Sequence, residues 1–191
     1  MKKILLKTIE SFSKEQEIFS LKNKIRTIPD FPKKGIMFRD ITTLLKDKES
    51  FKKLIDILYG RYKDYNIDVI AGIESRGFVI AGILAEKLNS GLVLIRKPGK
   101  LPAETISESY ELEYGTDRLE IHKDAITKGQ KVLLIDDLIA TGGTALASCK
   151  LIEKLQGEIV ECCFIIELPD SKGREKLSKY PLFSLIKFEG E

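Results

Sequence analysis

The chain has 191 residues, 43% of them apolar, which is enough for one α/β domain with a sizeable core and too few for two large ones. Its 32 Lys and Arg against 29 Asp and Glu leave a net charge of +3, with both signs interspersed, which argues for a solvated surface and against a nucleic-acid partner. Cys149, Cys162 and Cys163 lack metal-ligand spacing. They read as small buried hydrophobes of a reducing compartment, with the adjacent Cys162 and Cys163 on opposite faces of a strand.

Residues 1–16 are polar with isolated apolar positions and read as an N-terminal extension to a single domain over 17–191. Met1 to Leu6 hints at a signal peptide, but Lys7 and Glu10 break the apolar run, and no stretch reaches transmembrane length; a cytosolic protein with no membrane partner is expected. Ile18, Leu21 and Ile25 keep helical spacing until Pro29 and Pro32 stop it. Residues 29–40 read as a loop within an N-terminal hood over roughly 17–45, not as a regular element. Phe51–Tyr65 is an amphipathic helix with Leu54, Ile55, Leu58 and Tyr62 on one face. Asp68–Gly72 is a strand, Gly77–Leu88 a helix and Gly91–Ile95 a second strand.

Periodicity fails from Arg96 to Ser109, and a structureless stretch of that length inside a compact domain reads as a functional lid. A hairpin around Gly115 over 110–122 follows, with Leu119 and Ile121 on one face, so lid loop and hairpin together span about 96–122. Then come a strand at 132–136, a helix at 144–155, a strand at Glu158–Glu167, a short helix at Lys172–Tyr180 and a closing strand at Phe183–Phe188. Strands alternating with helices predict an α/β fold, an open and mainly parallel twisted sheet flanked by helices.

Two junctions in this pattern carry chemistry. The apolar run Val132–Ile135 leads into the paired acids Asp136 and Asp137, placed where the strand should emerge, then a turn of small residues, Ala140, Thr141, Gly142, Gly143 and Thr144, and a helical pattern. Backbone N–H groups of such a turn at a helix N-terminus cradle a phosphate monoester, while the acids suit ribose hydroxyls, so a 5-phosphorylated sugar fits both. No Lys follows Gly143, which excludes a Walker loop, and the three-glycine dinucleotide fingerprint is absent. The bland alternative is a polar strand end followed by a threonine cap. The second junction, Gly72 to Phe78, offers Arg76, whose forked donors can reach a diphosphate; its alternative is an ordinary turn with a solvent-facing arginine. Both turns leave carboxyl ends of strands, where ligands of open sheets collect. Arg96, Lys97 and Lys100 form a cationic cluster suited to a polyanion. His122, the one histidine, reads as a surface residue, with phosphate contact the lesser alternative.

Beyond these junctions, Ile28–Thr42 resembles the N-terminal signature of the adenine phosphoribosyltransferases, members of the type I phosphoribosyltransferases. Gly72–Phe78 resembles their diphosphate loop, Arg96–Ala125 their mobile loop and hairpin, and Ser171–Leu177 their C-terminal region, in the same order over roughly residues 20–190. The resemblance implies transfer of a 5-phosphoribosyl group from phosphoribosyl diphosphate (PRPP) to adenine in purine salvage, giving AMP and diphosphate. It implies a type I fold with a small hood and a mobile hairpin lid, a homodimer, and Mg²⁺ held mainly by substrate and water. By the same resemblance Ala140–Thr144 hold the 5-phosphate, Asp136 and Asp137 the ribose, and Glu74, Ser75, Arg76, Arg96, Lys97 and Lys100 the diphosphate. Met37, Phe38 and Arg39 meet adenine. Glu113 and Tyr114 close the site and join Arg76 as catalytic residues, with Glu113 handling the purine proton; the alternative for Glu113 is a salt bridge on a solvated strand. The chain departs from the family's pattern at Thr43, often Pro, and Ala103, commonly Gly.

Overall fold

A computed structural model describes residues 15–111 and 115–190 of the chain. It divides into two compact units, one ending at Ile57 and the other running from Leu58 to Gly190. The expected extension lies almost wholly outside the described residues.

In the first unit, helix α1 (15–22) stops before Ile25, which the sequence pattern places inside it. Strands β1 (Arg26–Pro29) and β2 (Met37–Asp40) pair antiparallel, Arg26 opposite Asp40 and Ile28 opposite Phe38. The segment 29–40 is therefore not merely a loop: its two ends are strands. Each is four residues long and too short to show alternation, and Pro29 sits at a strand end where no further ladder donor is needed. Asp40 accepts the backbone N–H of Thr42 at 2.9 Å and its hydroxyl at 2.6 Å, starting helix α2 (Thr42–Leu45). Thr43 bridges the neighbouring backbone, donating to Lys24 O at 2.6 Å and accepting from Arg26 N at 3.1 Å.

Helix α3 (Lys48–Tyr62) starts three residues ahead of its apolar pattern because the Asp47 carboxylate caps it, accepting the N–H of Ser50 at 3.0 Å. Leu54, Ile55, Leu58 and Tyr62 are all buried, as their spacing predicts.

The second unit is built on a five-stranded parallel sheet of β3 (Val69–Ile73), β4 (Gly91–Ile95), β7 (Lys131–Ile139), β8 (Glu158–Glu167) and β9 (Leu182–Lys187), in spatial order β4-β3-β7-β8-β9. Its neighbours pair in parallel throughout. Helices α4 (Arg76–Leu88) and α5 (Gly143–Lys154) connect strands and cover the sheet. Both-face burial is why β3 reads as a continuous apolar run. Val69, Ala71, Val132, Leu134 and Cys162 join one core cluster with Ala145, Ala147 and Leu151 of α5. Cys163, next along β8, lies outside that cluster, so the adjacent thiols do part to opposite faces; all three cysteines are free and buried. The chain leaves α4 through Asn89 in the left-handed region, with Ser90 N–H donating to Ala85 O at 2.9 Å.

Further boundaries differ from expectation, among them the end of α3 at Tyr62 where the apolar pattern ran to Tyr65. Strands β5 (Thr105–Glu111) and β6 (Thr116–His122) form the hairpin, so 105–109 is strand, not aperiodic lid. Its period was masked because Glu108 is polar yet turns toward α5, where Lys154 and Lys150 pair with it at 2.7 and 3.0 Å. Strand β7 continues past Asp136 and Asp137 to Ile139, since Leu138 and Ile139 still pair with β8; the acids lie within the strand and not beyond its end. The expected helix 172–180 shrinks to a 3₁₀ turn, Pro169–Ser171, and the one-turn α6 (Gly173–Lys176). Past Lys176 the backbone makes only three-residue turns up to Tyr180, which Pro181 keeps out of the helix.

Candidate active site

The first sheet strand in the chain, β3, has β4 on one side and β7 on the other, so successive connections diverge between β3 and β7. A crevice opens at the carboxyl ends of strands at such a switch point. The turn 74–77 after β3 and the turn 140–144 after β7 both emerge there.

Gly77, in the first turn of α4, lies against β7: a Cβ on it would come 3.0 Å from both Ile135 O and Asp136 Oδ1. This close approach carries Arg76 to the acid pair, where its Nε–H donates to Asp137 Oδ2. Asp136 is 9% and Asp137 4% exposed. Burial, then the adjacent Asp137 carboxylate, pushes the Asp136 carboxyl well above the usual range, favouring a proton there. Its Oδ1 accepts the N–H of Asp137 at 2.8 Å. After β7 the chain turns at Gly142, φ +76°, which caps α5 with no side-chain bond, so the first-turn N–H groups lack an intrahelical partner.

Of the cations expected to meet a diphosphate, Arg76, Arg96 and Lys97 each have a carboxylate partner. Glu74, joined to Ser75 by a cis peptide bond, accepts Arg96 Nε at 3.1 Å and Nη2 at 3.3 Å and the Lys97 N–H at 3.0 Å. Burial opposes its ionisation, but these bonds prevail and hold Glu74 below the usual range. Glu74 therefore orients Arg96. Lys97 Nζ donates to Tyr110 Oη at 2.9 Å and to Asp117 Oδ2. Burial works against the Lys97 charge, and Asp117 and Tyr110 outweigh it, raising its pKa. Gly99 N–H donates to Glu120 at 3.1 Å, while Lys100 is exposed and its carbonyl accepts from Arg96 at 3.1 Å. His122 Nε2 accepts the Ala103 N–H at 3.4 Å, which ties its ring to the loop backbone. Glu113 and Tyr114 lie outside the described residues.

In the hood hairpin, Met37 is 38% exposed; Phe38 meets the edge of Phe31 at 5.1 Å between centroids, and Arg39 Nη1 donates to Thr27 Oγ1 at 2.6 Å. Burial opposes the charge of Asp40, yet Thr42 and Arg26 bring its pKa down to about 2.

A phosphoribosyl transferase domain model matches residues 40–190. Adenine phosphoribosyltransferase of Halothermothrix orenii is 63% identical over 166 residues, 87% of this chain and 98% of that protein. The chain belongs to the adenine phosphoribosyltransferase family. The crystal structure of the Thermoanaerobacter pseudethanolicus adenine phosphoribosyltransferase superposes with a TM-score of 0.87 at 53% identity, covering 90% of this chain and 99% of that one. That of Saccharomyces cerevisiae, complexed with D-2,5-dideoxy-2,5-imino-altritol 1,6-bisphosphate and adenine, gives 0.85 at 41% identity over 90% and 99%.

Sequence reasoning about this adenine phosphoribosyltransferase family member named Glu74 and Asp137 but missed Tyr110 and Asp117, which hold Lys97. Tyr110 and Asp117 face each other directly in the hairpin. Counting outward from Gly115 would set Tyr110 opposite Glu120 and not Asp117, so the turn residue alone did not reveal the pair. Phe31, 50% exposed beside Phe38, left no signal beyond its place in the signature.

Proposed function

We propose that this chain transfers the 5-phosphoribosyl group of PRPP to N9 of adenine, releasing diphosphate and AMP, with the roles that follow. The observation that carries this reading is the convergence, at one switch point, of an acid pair, an uncapped glycine turn and a set of oriented cations. The turn Ala140–Thr144 takes the 5-phosphate on backbone N–H groups. Asp136 and Asp137 accept the ribose hydroxyls. Arg76, Arg96, Lys97 and Lys100 face the diphosphate, with Glu74 and Ser75 shaping the turn that presents them. Met37, Phe38 and Arg39 read the purine, Phe38 by stacking, and Glu113 with Tyr114 completes the site.

C1 of the sugar carries a good leaving group, and its departure builds oxocarbenium character. The purine nitrogen attacks directly, so no covalent nucleophile is required of the protein. Its residues hold the diphosphate, align the base and exclude water that would hydrolyse PRPP. Among the described residues no three His, Cys, Asp or Glu side chains converge as a metal cage. Mg²⁺, which keeps several waters and binds through substrate phosphates, suits a site without such a cage. When bound it supplies neutralisation of the departing diphosphate. A homodimer in the cytosol belongs to the same reading; among the described residues no helix is long and apolar enough to cross a membrane.

The test is a panel of bases with PRPP and Mg²⁺, followed by diphosphate release. Adenine should be the fastest acceptor. Faster release with hypoxanthine or guanine would overturn the acceptor assignment while leaving the PRPP chemistry standing.

A further inference from the structure

Gly142 and Gly173 meet backbone to backbone. A Cβ on Gly142 would lie 2.7 Å from Gly173 O, and one on Gly173 only 2.1 Å from Ala140 O and 2.8 Å from Gly142 N. Every atom named is main chain, so no rotamer change relieves either clash. The first residue of α6 therefore presses against the turn 140–144.

That segment is tied at both ends. At its start, Leu168 N–H donates to Ile139 O, the last residue of β7, at 3.0 Å. At its end, Arg174 grips Glu167 of β8 with two bonds, Nε at 2.8 Å and Nη2 at 2.6 Å, and its Nη1 donates to Leu182 O of β9 at 3.2 Å. Ser184 Oγ also donates to Glu167, which is 4% exposed. A bidentate pair with a buried carboxylate fixes direction as well as distance. Arg174 is thus staked to two strands, and Gly173 is the residue next to it.

We propose that Gly173, fixed by the Arg174–Glu167 pair, is a positioning element for the 5-phosphate turn. It sets the spacing of the Gly142–Thr144 backbone donors without touching substrate. The inference rests on the reading of 140–144 as the phosphate turn. A turn that binds through main-chain N–H groups has no side chain to adjust, so its affinity depends on what backs it. A displacement of about 1 Å in such a site costs up to roughly a hundredfold in rate.

The test uses ¹⁵N-labelled full-length protein titrated with ribose 5-phosphate, read at the Gly142, Gly143 and Thr144 amides, beside steady-state kinetics. In the unaltered chain these amides should shift saturably; no shift would remove the phosphate-turn reading and the proposal with it. Gly173→Ala and Arg174→Ala should weaken ribose 5-phosphate and raise the KM for PRPP by about tenfold or more, the loss of one backbone bond to a charged phosphate. Arg174→Lys, which keeps the charge but loses the fork, should fall between. The KM for adenine should stay within about twofold and the folded state should persist at assay temperature, since the effect is local. If Gly173→Ala does not fold, the Arg174 pair carries the test. Folded variants with unaltered ribose 5-phosphate affinity, or with adenine and PRPP constants raised equally, would overturn the proposal.

Discussion

Asp136→Asn should make the protein more stable at neutral pH and a poorer enzyme. Asp136 is buried beside Asp137, and its raised pKa means the folded chain holds a proton that the unfolded chain releases above about pH 3.9. Unfolding then sheds a proton, so this group's contribution is fully present at low pH and drains away as pH rises through the folded pKa. Asn mimics the protonated carboxyl in shape, keeps an oxygen for the Asp137 N–H, and cannot ionise. The stability difference between variant and parent should therefore grow by about 1.4 kcal/mol per pH unit, from the unfolded Asp value up to the folded one, then level off. For a chain of this size that is roughly 3–5 °C in Tm per pH unit. Thermal melts of both proteins in a pH series, with diphosphate-release kinetics at pH 8, test it. The KM for PRPP should rise about tenfold, because the Asn amide puts an N–H donor where a carboxyl oxygen accepts a ribose hydroxyl. A Tm difference that stays flat across the series would refute the argument, because it would show that Asp136 ionises in the fold as freely as in the unfolded chain.

Arg76→Ala should raise the KM for PRPP and also destabilise the fold. Asp137, its side chain 6% exposed, loses its guanidinium, and since the arginine is 42% exposed the cost is discounted to about 1–2 kcal/mol. Adding Asp137→Asn should recover the Tm without recovering PRPP binding, and a double variant no more stable than the single would sink the pairing. On β8, Glu161→Gln disturbs a carboxylate that accepts Arg61 Nε at 2.9 Å, Arg61 Nη2 at 2.8 Å and the Tyr62 hydroxyl at 2.7 Å. With Arg61 32% exposed the loss should be about 2–3 kcal/mol, a Tm drop of roughly 4–12 °C, with kinetic constants unchanged below the melt; an unshifted Tm would show the network to be idle.

The parallel sheet was legible because strands buried on both faces announce themselves as apolar runs. The apolar runs within Asp68–Gly72 and Val132–Ile135 needed no context. The hairpin was half legible: Leu119 and Ile121 alternate, while Glu108 disguised the partner strand because its burial is satisfied by lysines far along the chain on α5. Hood strands of four residues fall below the length at which period two can be recognised. Local composition also placed the end of β7 too early, since an acid pair reads as a strand terminus unless the neighbouring strand is known to continue beside it.

The site shows the same division between type and partner. Residue types at 74–76, 96–100 and 136–144 proposed a polyanion and a sugar, but not that Arg76, Arg96 and Lys97 would already be matched to Asp137, Glu74 and Asp117. Those partners stand 61, 22 and 20 residues away and meet their cations only through the switch-point crossing and the hairpin register. The pairing also explains why composition was silent about a polyanion. A site in which each of these three cations carries its own carboxylate adds nothing to the net charge, so a chain at +3 can still present three oriented cations to one crevice. On the proposed reading, a diphosphate entering there would meet cations already held in place by carboxylates instead of bare charge. Affinity should accordingly depend more on how well Glu74 and Asp117 aim the cations than on the number of basic residues nearby.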